Sequence, residues 1–177
     1  MVTIDLITGF LGSGKTTFLK KYAEYLMDQG LHIGILENDF GAINVDMLML
    51  HELRGDQCEL EMIAGGCDAE SHRRRFRTKL ISMRMCGYDR VLVEPSGIYD
   101  VDEFFDVLRE EPLDQWYEIG NVIAILDARL EKNLSQQADY LLASEAANAG
   151  KVILSHADAA TREQCEDLSL IHISEPT

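Results

Sequence analysis

Lys15 and Thr16 close the stretch Gly9-Phe10-Leu11-Gly12-Ser13-Gly14-Lys15-Thr16-Thr17, which has the spacing G-x-x-x-x-G-K-[ST]. That spelling suits the capture of nucleoside triphosphate phosphates. Glycines let the backbone turn its N–H groups inward, where a side chain would block the approach. Gly12, Ser13, Gly14 and Thr17 would supply loop and helix-start contacts, and Lys15 would reach the β- and γ-phosphates as a point charge. The Thr16 hydroxyl is of the right type to ligate Mg²⁺.

A second cluster carries the complementary chemistry. The short apolar run Arg90-Val91-Leu92-Val93 ends in Glu94-Pro95-Ser96-Gly97. A carboxylate closing an apolar strand is the usual Mg²⁺- or water-holding partner of a phosphate loop. Gly97 offers a backbone N–H that can face the γ-phosphate and move when it leaves. Glu37-Asn38-Asp39-Phe40-Gly41 is polar at another strand end, and Asp39 there is a candidate switch or metal-site carboxylate. No residue has the setting of a catalytic base; Lys15 and Glu94 are the catalytic candidates. Asp127, also at a strand end, reads as a turn or cap residue.

These residues need strands and helices to hold them. Val2–Ile7 reads as a buried strand, and Phe18, Leu19, Tyr22, Ala23 and Leu26 recur at helical spacing behind the loop, with Gly30 as the stop. Further strands are expected at 31–36, 58–63, 90–93, 121–126 and 151–154. Helices are expected at 68–85, 100–109 and 135–149, and Met47–Leu50 is a short helix or strand. In the 68–85 helix, Leu80, Ile81, Met83 and Met85 supply the buried side, and His72 to Lys79 a solvated basic face. The alternation predicts an α/β fold: a mostly parallel sheet flanked by helices on both faces, of the P-loop NTPase kind.

Composition narrows the partners. A formal net charge of −15 over 177 residues argues against nucleic acid and anionic membrane as partners, because phosphate backbones repel such a surface. No apolar run reaches spanning length, and no secretory signal precedes the first strand. Cys58, Cys67, Cys86 and Cys165 lack secreted-scaffold spacing, so free thiols in the cytoplasm are expected.

The motifs GFLGSGKTT at Gly9–Thr17, Glu37–Gly41, Gly65-Gly66-Cys67 and Glu94–Gly97 coincide, in order and spacing, with one family. The chain resembles the CobW-type GTPases, relatives of the nickel-insertion GTPases of urease and hydrogenase maturation. The resemblance implies GTP with Mg²⁺ as cofactors, slow hydrolysis, and delivery or sensing of a transition metal such as Zn²⁺ or Co²⁺ for a client metalloprotein. It leaves room for a homo-oligomer. Two departures stand out. Where the family carries C-x-C-C, this chain has Gly66-Cys67-Asp68-Ala69; Cys67 needs added ligands, for which Asp68, Glu70, His72 and Cys58 are the candidates. Where the family carries N-K-x-D, it has Ser155-His156-Ala157-Asp158. Asp158 matches the carboxylate that accepts the guanine N1–H and N2–H₂, Ser155 replaces an amide, and His156 replaces a lysine and can stack on the base.

Residues 1–167 are read as the GTPase domain, incomplete at its C-terminal end. Leu168–Thr177 spells a translated transposase sequencing adaptor and is expected to be foreign to the domain. Two other readings remain open: a GTP-binding adaptor without metal transfer, and a P-loop small-molecule kinase with the arginines at 73–77 as lid cations.

Overall fold

The computed structural model describes residues 1–10, 12–39, 45–64, 68–95, 101–129, 149–156 and 162, with backbone alone at 38–39, 45–47 and 64. Its strands are β1 (Val2–Thr8), β2 (Ile33–Asp39), β3 (Cys58–Ala64), β4 (Arg90–Glu94), β5 (Tyr117–Asp127) and β6 (Lys151–Ser155). Its helices are α1 (Lys15–Asp28), α2 (Val45–His51), α3 (Ala69–Arg84), α4 (Val101–Leu108) and α5 (Leu113–Trp116). The sheet order is β3-β2-β4-β1-β5-β6, and every strand pair is parallel. The expected parallel α/β architecture is therefore the observed one.

Alternation along β1 divides the core. Val2, Ile4 and Leu6 join Phe76, Leu80, Met83, Phe104 and Leu113 on the face covered by α3, α4 and α5. Ile7 joins Leu19, Ala23, Leu26 and Leu50 on the face covered by α1 and α2. Successive residues point to opposite faces, so both faces of the sheet are dry. This arrangement places the C-terminal ends of β1, β2 and β4 along one edge of the molecule, where ligands of open α/β sheets bind.

The structure corrects three details and settles a fourth, the segment around Met47–Leu50. β2 continues to Asp39, so Glu37-Asn38-Asp39 is strand where a turn was an option. The segment 45–51 resolves as helix α2. Met85 lies past the end of α3 and is 85% exposed; Phe76, at 1%, takes the buried place. β5 begins at Tyr117, four residues before the expected start, because Glu118-Ile119-Gly120-Asn121 pairs despite its polar look. The expected helix at 135–149 and the tail at 168–177 lie outside the described residues, apart from Ala149.

That early part of β5 depends on a bulge. Ile4 faces Ile119 and Leu6 faces Val122, so Gly120 and Asn121 together oppose Asp5. Asp5 is fully buried and accepts from the Asn121 backbone N–H at 2.7 Å, the Tyr22 hydroxyl at 2.8 Å and Arg90 at 2.8 Å. A Cβ at position 120 would lie 2.3 Å from Asp5 Oδ1. Glycine is thus required for the close approach, and the network ties α1 to β1, β4 and β5.

Candidate functional site

The phosphate loop springs from the end of β1. Gly9, Gly12 and Gly14 have φ values of 142°, 79° and 92°, the left-handed region open to glycine. A Cβ on Gly9 would meet the Ile125 carbonyl oxygen at 2.3 Å, whereas one on Gly12 would meet nothing within 4 Å. The first glycine is demanded by packing and the second by conformation. Gly14 caps α1 without a side-chain bond, which leaves the N–H groups of the first turn available to an anion. Ser13 Oγ, in a residue only 2% exposed, has no hydrogen-bond partner among the described residues. A buried hydroxyl in that state fits a ligand oxygen.

Lys15, 6% exposed, folds back along the loop and donates to the Gly9 and Phe10 carbonyls at 2.7 and 3.1 Å. Thr16 donates its hydroxyl to Glu94 Oε1 at 2.8 Å, and both residues are 6% exposed. A hydroxyl and a carboxylate brought together at a phosphate loop are hard oxygen donors, the set that Mg²⁺ prefers. Thr17 follows within α1.

Glu37 is the residue that the sequence reading undervalued. It is 2% exposed, and the β2–β4 register pairs it with Glu94. Partners in a parallel register project to one face, so both carboxylates lie on the α1 side. The available signal was the shared pattern of an apolar strand closing on glutamate. Asp39 ends β2 opposite Ala64 of β3. Gly97, Cys67 and Asp158 lie outside the described residues.

The candidate helpers of Cys67 are mostly committed elsewhere. Asp68 caps α3, accepting from the Ser71 N–H at 2.8 Å, which holds its carboxyl below the usual range. His72 Nδ1 lies 2.7 Å from Glu103 Oε1 on α4. Cys58 sits at the far end of β3, roughly 20 Å of strand away. Burial pushes its thiol up to about 11. Glu70 is exposed in the first turn of α3. Among the described residues no group of three metal-ligating side chains occurs. Arg73 and Arg77 both bridge to Glu110, at 2.6 and 3.0 Å, and so join α3 to the end of α4.

The ends of β5 and β6 carry Asp127, Ser155 and His156. Ser155 Cβ would lie 3.9 Å from a Cβ on Gly14, which puts the Ser155-His156 pair against the phosphate loop. His156 adopts a left-handed φ of 53°, with Nδ1 3.2 Å from Asp127 Oδ2 and 3.3 Å from Ser155 Oγ. Asp127 is more than a turn residue: it binds Arg129 at 2.8 Å and anchors the imidazole. Hydrogen bonds from Arg129 bring its carboxyl down to about 2.

Comparison with known proteins agrees with this geometry. The family model "CobW/HypB/UreG, nucleotide-binding domain" matches residues 3–172. The zinc chaperone YeiR of Escherichia coli is 28% identical over 92% of this chain and 49% of its own length. The zinc chaperone YjiA of the same organism is 29% identical over 90% of the chain and 50% of its own. The crystal structure of Zn(II)-bound YjiA GTPase aligns with a TM-score of 0.58 at 20% identity, covering 96% of this chain and 54% of that one. The chain spans about half the length of the curated relatives it matches. With the glycine loop, the Thr16–Glu94 contact and the parallel sheet in place, the match over residues 3–172 makes this chain a member of the CobW/HypB/UreG nucleotide-binding domain family.

Proposed function

We propose that the chain is the nucleotide domain of a CobW-type switch that binds GTP with Mg²⁺, hydrolyses it slowly and couples that cycle to transition-metal homeostasis. The 2.8 Å bond from Thr16 to Glu94 carries the reading, because it joins the phosphate loop to the carboxylate that ends β4. The backbone of Gly12, Ser13 and Gly14, with Lys15 and Thr17, holds the phosphates; Thr16 and Glu94 hold the magnesium. Magnesium, when bound, neutralises charge on the β- and γ-phosphoryl oxygens. Gly97 senses the γ-phosphate, Asp158 reads guanine, and His156, held by Asp127 and beside Ser155, lies over the base.

The zinc-chaperone names of YeiR and YjiA support a metal role at the loop of Cys67, with Glu37 and Asp39 at the neighbouring strand end. A client metalloprotein in the cytoplasm is the natural recipient. The strong negative charge speaks against nucleic acid, and no described helix is long and apolar enough to cross a membrane. Residues 168–177 are proposed to be adaptor-derived and without a role.

Competition against a fluorescent GTP analogue tests the nucleotide half: GTP should displace it at far lower concentration than ATP. Equal displacement by ATP defeats the guanine assignment. Titration of Zn²⁺ and Co²⁺ with and without GTP tests the metal half. Saturable binding that is lost in Cys67→Ser supports metal handling. Its absence in both nucleotide states favours an adaptor, a reading supported by the single cysteine in Gly65-Gly66-Cys67.

A further inference from the structure

β3 is an edge of the sheet: among the described residues its ladder runs to β2 alone, and on its outer side only Cys58, at its start, is bridged, to Gly55. Its outer row of N–H and C=O groups is therefore a template for another strand. A cavity of about 540 Å³ opens along this edge, between β3 and α3. Met62 and Ile63 both line it. The cavity therefore lies where the C-terminal half of β3 meets α3. The helical wall is Arg74, Arg75, Thr78, Lys79 and Ser82, and no carboxylate lines the cavity among the described residues. Lys79 is fixed to the strand through Glu61 at 2.9 Å. Three cations on so small a surface stand out in a chain with a net charge of −15.

We propose that this groove is a docking site for an extended acidic segment of a partner protein. The segment adds a strand to β3, and its carboxylates lie against the cationic wall of α3. Strand addition takes affinity from main-chain hydrogen bonds and selectivity from alternate side chains. Met62 gives the apolar contact, and the exposed Arg74 foremost selects the charge, Lys79 being already paired with Glu61. A peptide main chain is favoured over nucleic acid because the open edge offers alternating amide donors and acceptors. A long polyanion would also meet the acidic remainder of the surface, whereas a short peptide feels chiefly the field within roughly 10 Å. The inference stands apart from the nucleotide and metal assignments.

The test uses the full chain and a fluorescein-labelled peptide of alternating valine and glutamate, followed by fluorescence anisotropy. Saturable binding is expected, weakened about tenfold by Arg74→Glu or Thr78→Glu, two exposed positions. Unchanged circular dichroism and unchanged GTP-analogue affinity show that the variants fold. Two further peptides are N-methylated at alternate residues in opposite phases. One phase should abolish binding, because its amides face β3, and the other should spare it. Equal binding by both methylated peptides, or equal competition by an oligonucleotide of matched charge, overturns the proposal. So does self-association of the chain in sedimentation that the peptide fails to displace.

Discussion

Thr16 and Glu94, 78 residues apart in the chain, meet through a 2.8 Å hydrogen bond that ties the first turn of α1 to the end of β4. The bond needs the carboxylate as acceptor, whereas the proposed magnesium role needs its charge. Glu94→Gln keeps the shape and one acceptor oxygen but loses the charge. GTP hydrolysis should fall by about 10²-fold with weakened Mg²⁺ dependence, while the unfolding midpoint changes little. Single-turnover hydrolysis across a magnesium series measures this, and wild-type rates in the variant would remove Glu94 from the site.

Lys15 donates to two loop carbonyls, those of Gly9 and Phe10. Lys15→Met removes the charge that a triphosphate would draw away from those carbonyls. Charged hydrogen bonds contribute about 1.5–3 kcal/mol, so GTP affinity should drop roughly 10- to 100-fold. Isothermal titration with GTP and with GDP reads the effect, and the loss should be larger for GTP.

Asp5 is fully buried and satisfied by Tyr22, Arg90 and Asn121. Asp5→Ala strips Arg90 and Tyr22 of their shared acceptor and should cost about 3 kcal/mol. Gly120→Ala drives a Cβ into the same carboxylate and should cost about 1–3 kcal/mol. Urea unfolding monitored at the single tryptophan, Trp116, compares both with the parent chain.

Asp127 titrates at about 2 in the folded chain because Arg129 donates hydrogen bonds to it. Its unfolded value is about 3.9, so the folded state binds the proton less readily. The stabilisation is fully present above pH ~4 and is lost as pH falls through about 2. Partial exposure limits it to about 1 kcal/mol. Asp127→Asn should flatten that part of the acid-unfolding curve, and an unchanged curve would assign the acid transition to other groups.

Cys58 is 1% exposed with its thiol pushed up to about 11, whereas Cys86 is exposed. At neutral pH a maleimide should label Cys86 rapidly and reach Cys58 only after denaturation. Peptide mapping by mass spectrometry distinguishes the two sites.

The glycine loop, the strand–loop–helix around it and the position of Glu94 at the end of β4 were legible in the sequence because each is local. Left-handed glycines, helical spacing from Phe18 to Leu26 and a short apolar strand leave their marks within a few residues. The parallel sheet also followed, from alternation of apolar strands with helices. Tertiary structure alone decided what depends on register between distant segments. It set Glu37 beside Glu94, turned Glu118–Asn121 into strand through the Asp5 bulge, spent Arg73 and Arg77 on Glu110, and brought Asp127 to His156. A sequence reports the faces a segment prefers; which charge meets which is fixed only when segments distant in the chain settle against one another.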